Sequence, residues 1–99
     1  MSEAASKYVA ECFWPGVQEA DLHALDERAL AAAASTSAAG RLVLYLGSLL
    51  IPEDEVVLCQ FAGLFGDVRD VAELAQIPFE RILGATSSPS LLERTGEIE

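Results

Sequence analysis

At 99 residues, 52% of them apolar, the chain makes one domain, able to bury about two thirds of its unfolded surface. Sixteen acidic against six basic side chains leave a net charge of −10, a field that repels phosphate backbones and anionic lipid heads, so neither nucleic acid nor membrane is an expected partner. No apolar run approaches the roughly 20 residues of a membrane helix, which sends the excess hydrophobicity into a core or a protein interface.

The opening Met1-Ser2-Glu3-Ala4-Ala5-Ser6-Lys7 has no basic segment leading into an apolar one, so no secretory signal is expected and the cytoplasm is the default compartment. Tyr8 to Trp14 predicts a strand, closed by Pro15-Gly16, which cannot continue a ladder. Glu19 to Ala39 predicts a helix with Leu22, Leu25, Ala29, Ala32 and Ala33 on one stripe, acids at its start and Gly40 as its stop. Two apolar runs follow, Leu42 to Leu46 and Val56 to Phe61, joined across Pro52-Glu53-Asp54-Glu55 as a hairpin. Asp67 is placed to cap a second helix with the stripe Val68, Val71, Ala72 and Ala75, closed by Pro78. Phe79 to Ser87 supplies a fourth extended segment, and the acidic stretch 88–99 is a tail to the domain spanning 7–87.

The order strand, helix, strand, strand, helix, strand with right-handed crossovers gives an α+β, ferredoxin-like fold: a four-stranded antiparallel sheet with both helices on one face. A strand with one solvated face should alternate polar with apolar, yet the hairpin is apolar on both. Parity then assigns Leu42, Leu44, Leu46, Val57, Cys59 and Phe61, with Ala10 and Cys12, to the helix side. The opposite face receives Val9, Glu11, Phe13, Val43, Tyr45, Leu58 and Gln60, too apolar a surface to leave in water. A homodimer packed sheet on sheet, a dimeric α/β barrel, is the simplest cover, and its inter-sheet space is a cavity for a small ligand. Glu11, Tyr45 and Gln60 are the convergent polar groups expected there.

Tyr8-Val9-Ala10-Glu11 before Pro15-Gly16, Tyr45-Leu46-Gly47-Ser48, Ile51-Pro52-Glu53-Asp54-Glu55, Cys59-Gln60-Phe61 and Ile77-Pro78-Phe79-Glu80-Arg81-Ile82 together resemble the small bacterial domain-of-unknown-function 4242 family. That resemblance runs over Lys7 to Ser87 and implies a dimeric ferredoxin-like α/β barrel, one branch of which binds nickel. The chain departs from that branch: it has Glu11-Cys12-Phe13 where a histidine is expected near the end of the first strand, and Ala62 where an acid follows Cys-x-Phe. A Ni²⁺ site draws on several imidazole or thiolate donors, and this chain has one histidine, His23. His23 with Glu27 one turn later is the pair available for Ni²⁺ or another divalent metal, with Asp26 alongside; the plain alternative is a solvated helix face.

Glu11, between Val9 and Phe13 on an interior-looking face, costs free energy unless it pairs with Arg41 or Arg81 or meets a ligand. Cys12 and Cys59, 47 positions apart, fit two buried thiols in a reducing compartment, with a disulfide or a thiolate metal site as the alternative. Glu53-Asp54-Glu55 lacks the spaced ligands and glycine of a calcium loop, Gly63-Leu64-Phe65-Gly66 is not a nucleotide fingerprint, and no serine-histidine-acid order occurs. Three functions remain open: a dimeric binding protein for a metal ion or small ligand, a cofactor-independent enzyme with Glu11 as base and Tyr45 as acid, or a purely structural or regulatory dimer.

Overall fold

A computed structural model describes residues 6–86, so the tail expected over 88–99 lies outside the described residues. Six elements occur in the order β1 (Ser6–Phe13), α1 (Glu19–Ala38), β2 (Val43–Ile51), β3 (Val56–Gly63), α2 (Phe65–Leu74) and β4 (Arg81–Ala85). The strands form one antiparallel sheet in the order β2-β3-β1-β4. Both helices pack on one face, which is the ferredoxin-like arrangement, and the other face carries no element of this chain among the described residues.

Helix α1 starts where the first-turn acids place it. The Asp21 carboxylate accepts the Gln18 amide at 2.8 Å, satisfying one of the backbone donors a helix start leaves orphaned. Its small-residue stripe of Ala29, Ala32 and Ala33, with Leu25, is buried, so this helix approaches the sheet closely. Gly40 adopts φ 94° just past the end, the left-handed conformation that stops a helix. Helix α2 differs from expectation at its start: Leu64 is the N-cap and Asp67 lies inside the first turn, its carboxylate taken by Arg41 at 2.9 Å. The α2 end is held across the interhelical seam, where Arg28 of α1 donates to the Ala75 carbonyl at 2.8 Å. That bond supplies a donor to a carbonyl the helix cannot satisfy itself.

The core is small and dry: Ala10, Cys12, Val57, Cys59 and Phe61 from the sheet meet Leu25, Val68 and Val71 from the helices, all without exposed surface. On β1 and β3 the expected parity holds. On β2 it is inverted. Val43 is 2% exposed and faces the helices, whereas Leu44 is 52% exposed on the open face. Tyr45 pairs in register with the buried Phe61, their ring centroids 5.1 Å apart, and so also points at the helices.

The strand is longer than expected, reaching Ile51, and carries a β-bulge between Tyr45 and Gly47. The bulge inserts one extra residue, so Ser48 and Leu50 continue the helix side opposite Cys59 and Val57 while Leu49 and Ile51 join the open side opposite Leu58 and Val56. Gly47 sits at φ 110°, a backbone conformation that side-chain-bearing residues rarely adopt.

Candidate functional site

The open sheet face is the surface on which chemistry-bearing residues gather. Register places Lys7, Val9, Glu11 and Phe13 of β1 beside Ala62, Gln60, Leu58 and Val56 of β3 and, on the other flank, Ala85, Leu83 and Arg81 of β4. Leu44, Leu46, Leu49 and Ile51 of β2 complete it, and each of these four is exposed. The face is therefore a broad apolar surface crossed by a few polar groups.

Glu11 lies on this face, as parity on β1 requires, with 29% of its side chain exposed. Its register partner across β1 and β4 is Arg81, whose Nε donates to the Glu11 carboxylate at 2.5 Å. The bond to Glu11 and its negative charge together raise the Arg81 pKa. That partner satisfies the requirement for a companion to an acid among apolar neighbours; Arg41, the other candidate, instead bridges Asp67 and Asp70 at the start of α2.

Gln60 shares the open face with Glu11, but Tyr45 does not. The inverted parity of β2 puts Tyr45 on the opposite side of the sheet, so the trio Glu11, Tyr45 and Gln60 is not assembled, and a base–acid pair of Glu11 with Tyr45 has no common space in which to act. Tyr45 instead donates to Asp26 of α1 at 2.5 Å, and Ser48, brought to the same side by the bulge, donates to the same carboxylate oxygen at 2.9 Å. Burial, reinforced by the bond to the Asp26 carboxylate, pushes the Tyr45 hydroxyl well above its ordinary range. A half-buried acid satisfied by two hydroxyls joins α1 to the edge strand; it is a structural anchor that the sequence reading missed. The isolated glycine in Tyr45-Leu46-Gly47-Ser48 is the signal for the bulge that creates it.

His23 and Glu27 both lie on the exposed side of α1, and neither makes a hydrogen bond or ion pair among the described residues. Asp26, three residues beyond His23, is turned to Tyr45 and Ser48. No group of three or more His, Cys, Asp or Glu side chains able to hold a metal exists among the described residues. Two solvated donors do not make the several-ligand imidazole or thiolate set that Ni²⁺ requires, so His23 and Glu27 do not fit a nickel centre.

Cys12 and Cys59 are both fully buried on the helix side, on adjacent strands and two residue pairs apart in register, which makes them diagonal neighbours on one face. The Cys12 thiol donates to the Ala10 carbonyl at 3.9 Å, and the nearness of Cys59, with burial, pushes Cys12 up, while the same neighbour lowers Cys59.

The open face contains a shallow groove of about 190 Å³. Lys7, Val9, Leu46, Gln60, Ala85 and Thr86 are among the residues lining it, so it crosses all four strands. No helix of the described residues is long and apolar enough to cross a membrane.

No family model and no curated protein matches the chain. Among solved structures it is similar to the crystal structure of SCO4226 from Streptomyces coelicolor A3(2), with a TM-score of 0.68 over 85% of this chain and 100% of that one, at 17% sequence identity. That likeness supports the ferredoxin-like fold.

Proposed function

We propose that this chain is a small homodimeric binding protein, which pairs its open sheet face with that of a second copy and holds a small ligand between the two sheets. The observation that carries this reading is the row Leu44, Leu46, Leu49 and Ile51, exposed with Phe13 and Leu83 on the sheet face that no helix of the described residues covers. Apolar surface of that extent is removed from water by association. Charge favours a second copy as the cover. Among the ladder residues of this face Glu11 is the sole acid, against Lys7 and Arg81, so the face largely escapes the −10 charge that would make two copies repel. The 4242-family resemblance points to the same barrel. Its nickel-binding branch finds no support among the described residues, which contain no group of three or more His, Cys, Asp or Glu side chains able to hold a metal.

Light scattering after size exclusion, with native mass spectrometry of untagged protein, tests the proposal. A dimer at micromolar concentration, carrying a retained small-molecule mass, is expected, with about 1,600 Å² or more buried between copies. Leu44→Asp places a charge in the contact without touching the core and should give a folded monomer. A well-folded monomer for the unmodified chain would refute the dimer.

A further inference from the structure

The described residues end in the groove of the open face. Thr86, one residue past β4, is part of its lining, and residues 87–99 follow from there. The first six of these, Ser87-Ser88-Pro89-Ser90-Leu91-Leu92, carry no charge, and the acids Glu93, Glu97 and Glu99 come only after them. Two adjacent leucines closing an uncharged run gain free energy only where apolar surface receives them. The groove offers such a surface: Val9 and Leu46 stand in it beside the neutral polar groups of Gln60 and Thr86, and Leu46 is exposed. At about 190 Å³ it lies below the roughly 300–1,000 Å³ of a drug-sized site and near the roughly 150 Å³ that holds a benzene ring, so it suits one or two side chains.

Topology sets the reach required. Thr86 lies at the β4 edge and Leu46 on β2, three strand spacings of about 4.8 Å apart and two to three residues further along the sheet, about 17 Å in all. Five to six residues of extended chain span about 17–21 Å, which brings Leu91 and Leu92 to Leu46 and no earlier residue so far. From this we infer that residues 87–92 cross the chain's own open face and seat one leucine of the Leu91-Leu92 pair in the groove against Val9 and Leu46. Successive side chains of an extended run point to opposite sides, so one leucine enters the groove and the other is presented to whatever covers the face. The far end of the face, with Phe13, Leu49 and Ile51, is left to a second copy. Under the proposed ligand role, on which this consequence rests, the segment is a built-in competitor: a ligand enters the groove by displacing the leucine.

The test uses the full untagged chain with labelled leucine and valine methyls. Nuclear Overhauser contacts from Leu91 or Leu92 to Val9 and Leu46 are expected, and they should persist when labelled protein is diluted into an excess of unlabelled copies, which leaves only contacts within one chain. Replacing both residues, Leu91→Ser with Leu92→Ser, should shift the Val9, Leu46 and Gln60 amides and raise the affinity of the groove for an uncharged naphthalene dye at least fivefold. Absence of the contacts, their loss on dilution, or amides and dye affinity unchanged by the double variant would each overturn the inference. A small molecule retained in the groove of the parent, with both leucines in water, would give the groove to that ligand and also overturn it. Light scattering of the same samples separates the two proposals: a dimer without these contacts sinks this one alone, and a monomer that shows them sinks the dimer and leaves the seated segment standing.

Discussion

Tyr45→Phe isolates the bond that ties α1 to the edge of the sheet. The substitution keeps the ring against Phe61, with centroids now 5.1 Å apart, and removes only the hydroxyl that donates to Asp26 at 2.5 Å. A hydrogen bond to a charged group contributes about 1.5–3 kcal/mol. Asp26 is half-buried and keeps the Ser48 hydroxyl at 2.9 Å, which argues for the lower end, about 1.5 kcal/mol. For a domain of this size each kcal/mol is worth about 4–8 °C, so the melting temperature should fall by about 6–12 °C. The assay is thermal and urea unfolding by circular dichroism at fixed protein concentration, because association makes the midpoint concentration-dependent. Asp26→Asn and the double variant complete a cycle, with an expected coupling of about 1 kcal/mol. If Tyr45→Phe shifts stability by less than about 0.5 kcal/mol, or the two substitutions simply add, Tyr45 does not engage Asp26 and the helix-side assignment of β2 is wrong.

Gly47→Ala meets no atom within 4 Å, so its cost is the strain of φ 110° alone, about 1–3 kcal/mol in urea unfolding; a neutral result would show that the bulge does not need glycine. Because the Tyr45 pKa is raised in the folded chain above its ordinary 10.0, its contribution to stability is complete below about pH 10 and is lost as pH rises beyond it. The tyrosinate absorbance that distinguishes the parent from Tyr45→Phe should accordingly appear only together with unfolding. Ellman titration of native protein should find little fast-reacting thiol, with Cys12 and Cys59 both appearing on denaturation, since both are fully buried; a rapid stoichiometric reaction would contradict that. Raising ionic strength from about 0.01 to 0.15 M shortens the screening length from about 30 to 8 Å and should tighten the dimer by damping repulsion between two chains of −10; loosening instead would mean that ion pairs hold it.

The element order and the fold were legible because helix and strand periods differ so clearly here. The alanine-rich stripe of α1 and the small residues Ala10 and Cys12 of β1 have one sensible place, against each other. Parity on β2 was not legible by the rule that the more apolar set faces the core. Val43 and Tyr45 form one set and Leu44 and Leu46 the other, and the larger leucines were assigned inward. The structure does the reverse: the Tyr45 ring packs on Phe61 and its hydroxyl bonds Asp26 of α1. The leucines are then free to form the open face. A period of two gives two answers, and only a specific partner for the tyrosine hydroxyl selects between them. Of the expected site, Glu11 and Gln60 lie on the expected face, whereas Tyr45, which precedes the bulge, lies on the other because the choice between the two β2 sets was inverted. At α2 the expected cap Asp67 was displaced by three residues, since Arg41 gives its carboxylate a stronger partner than the helix start does.

The inverted strand strengthens the case for association rather than weakening it. Under the expected parity the open face would have carried Tyr45, whose hydroxyl is content in water, beside a single β2 valine. With the observed parity it carries Leu44, Leu46, Leu49 and Ile51 in a continuous row along an edge strand. Fully burying one leucine is worth about 1.5–3 kcal/mol, so burying the exposed half of these four side chains would add about 3–6 kcal/mol, a sizeable part of the stability of a small domain. The helix face, meanwhile, receives the polar pair Tyr45 and Ser48 and satisfies both on a single carboxylate. The chain thus places hydroxyls where a helix can bond them and leucines where no part of the described chain reaches. That distribution makes sense for a surface completed by another molecule, and the near-absence of acids from it makes a second copy of the same acidic chain an acceptable one.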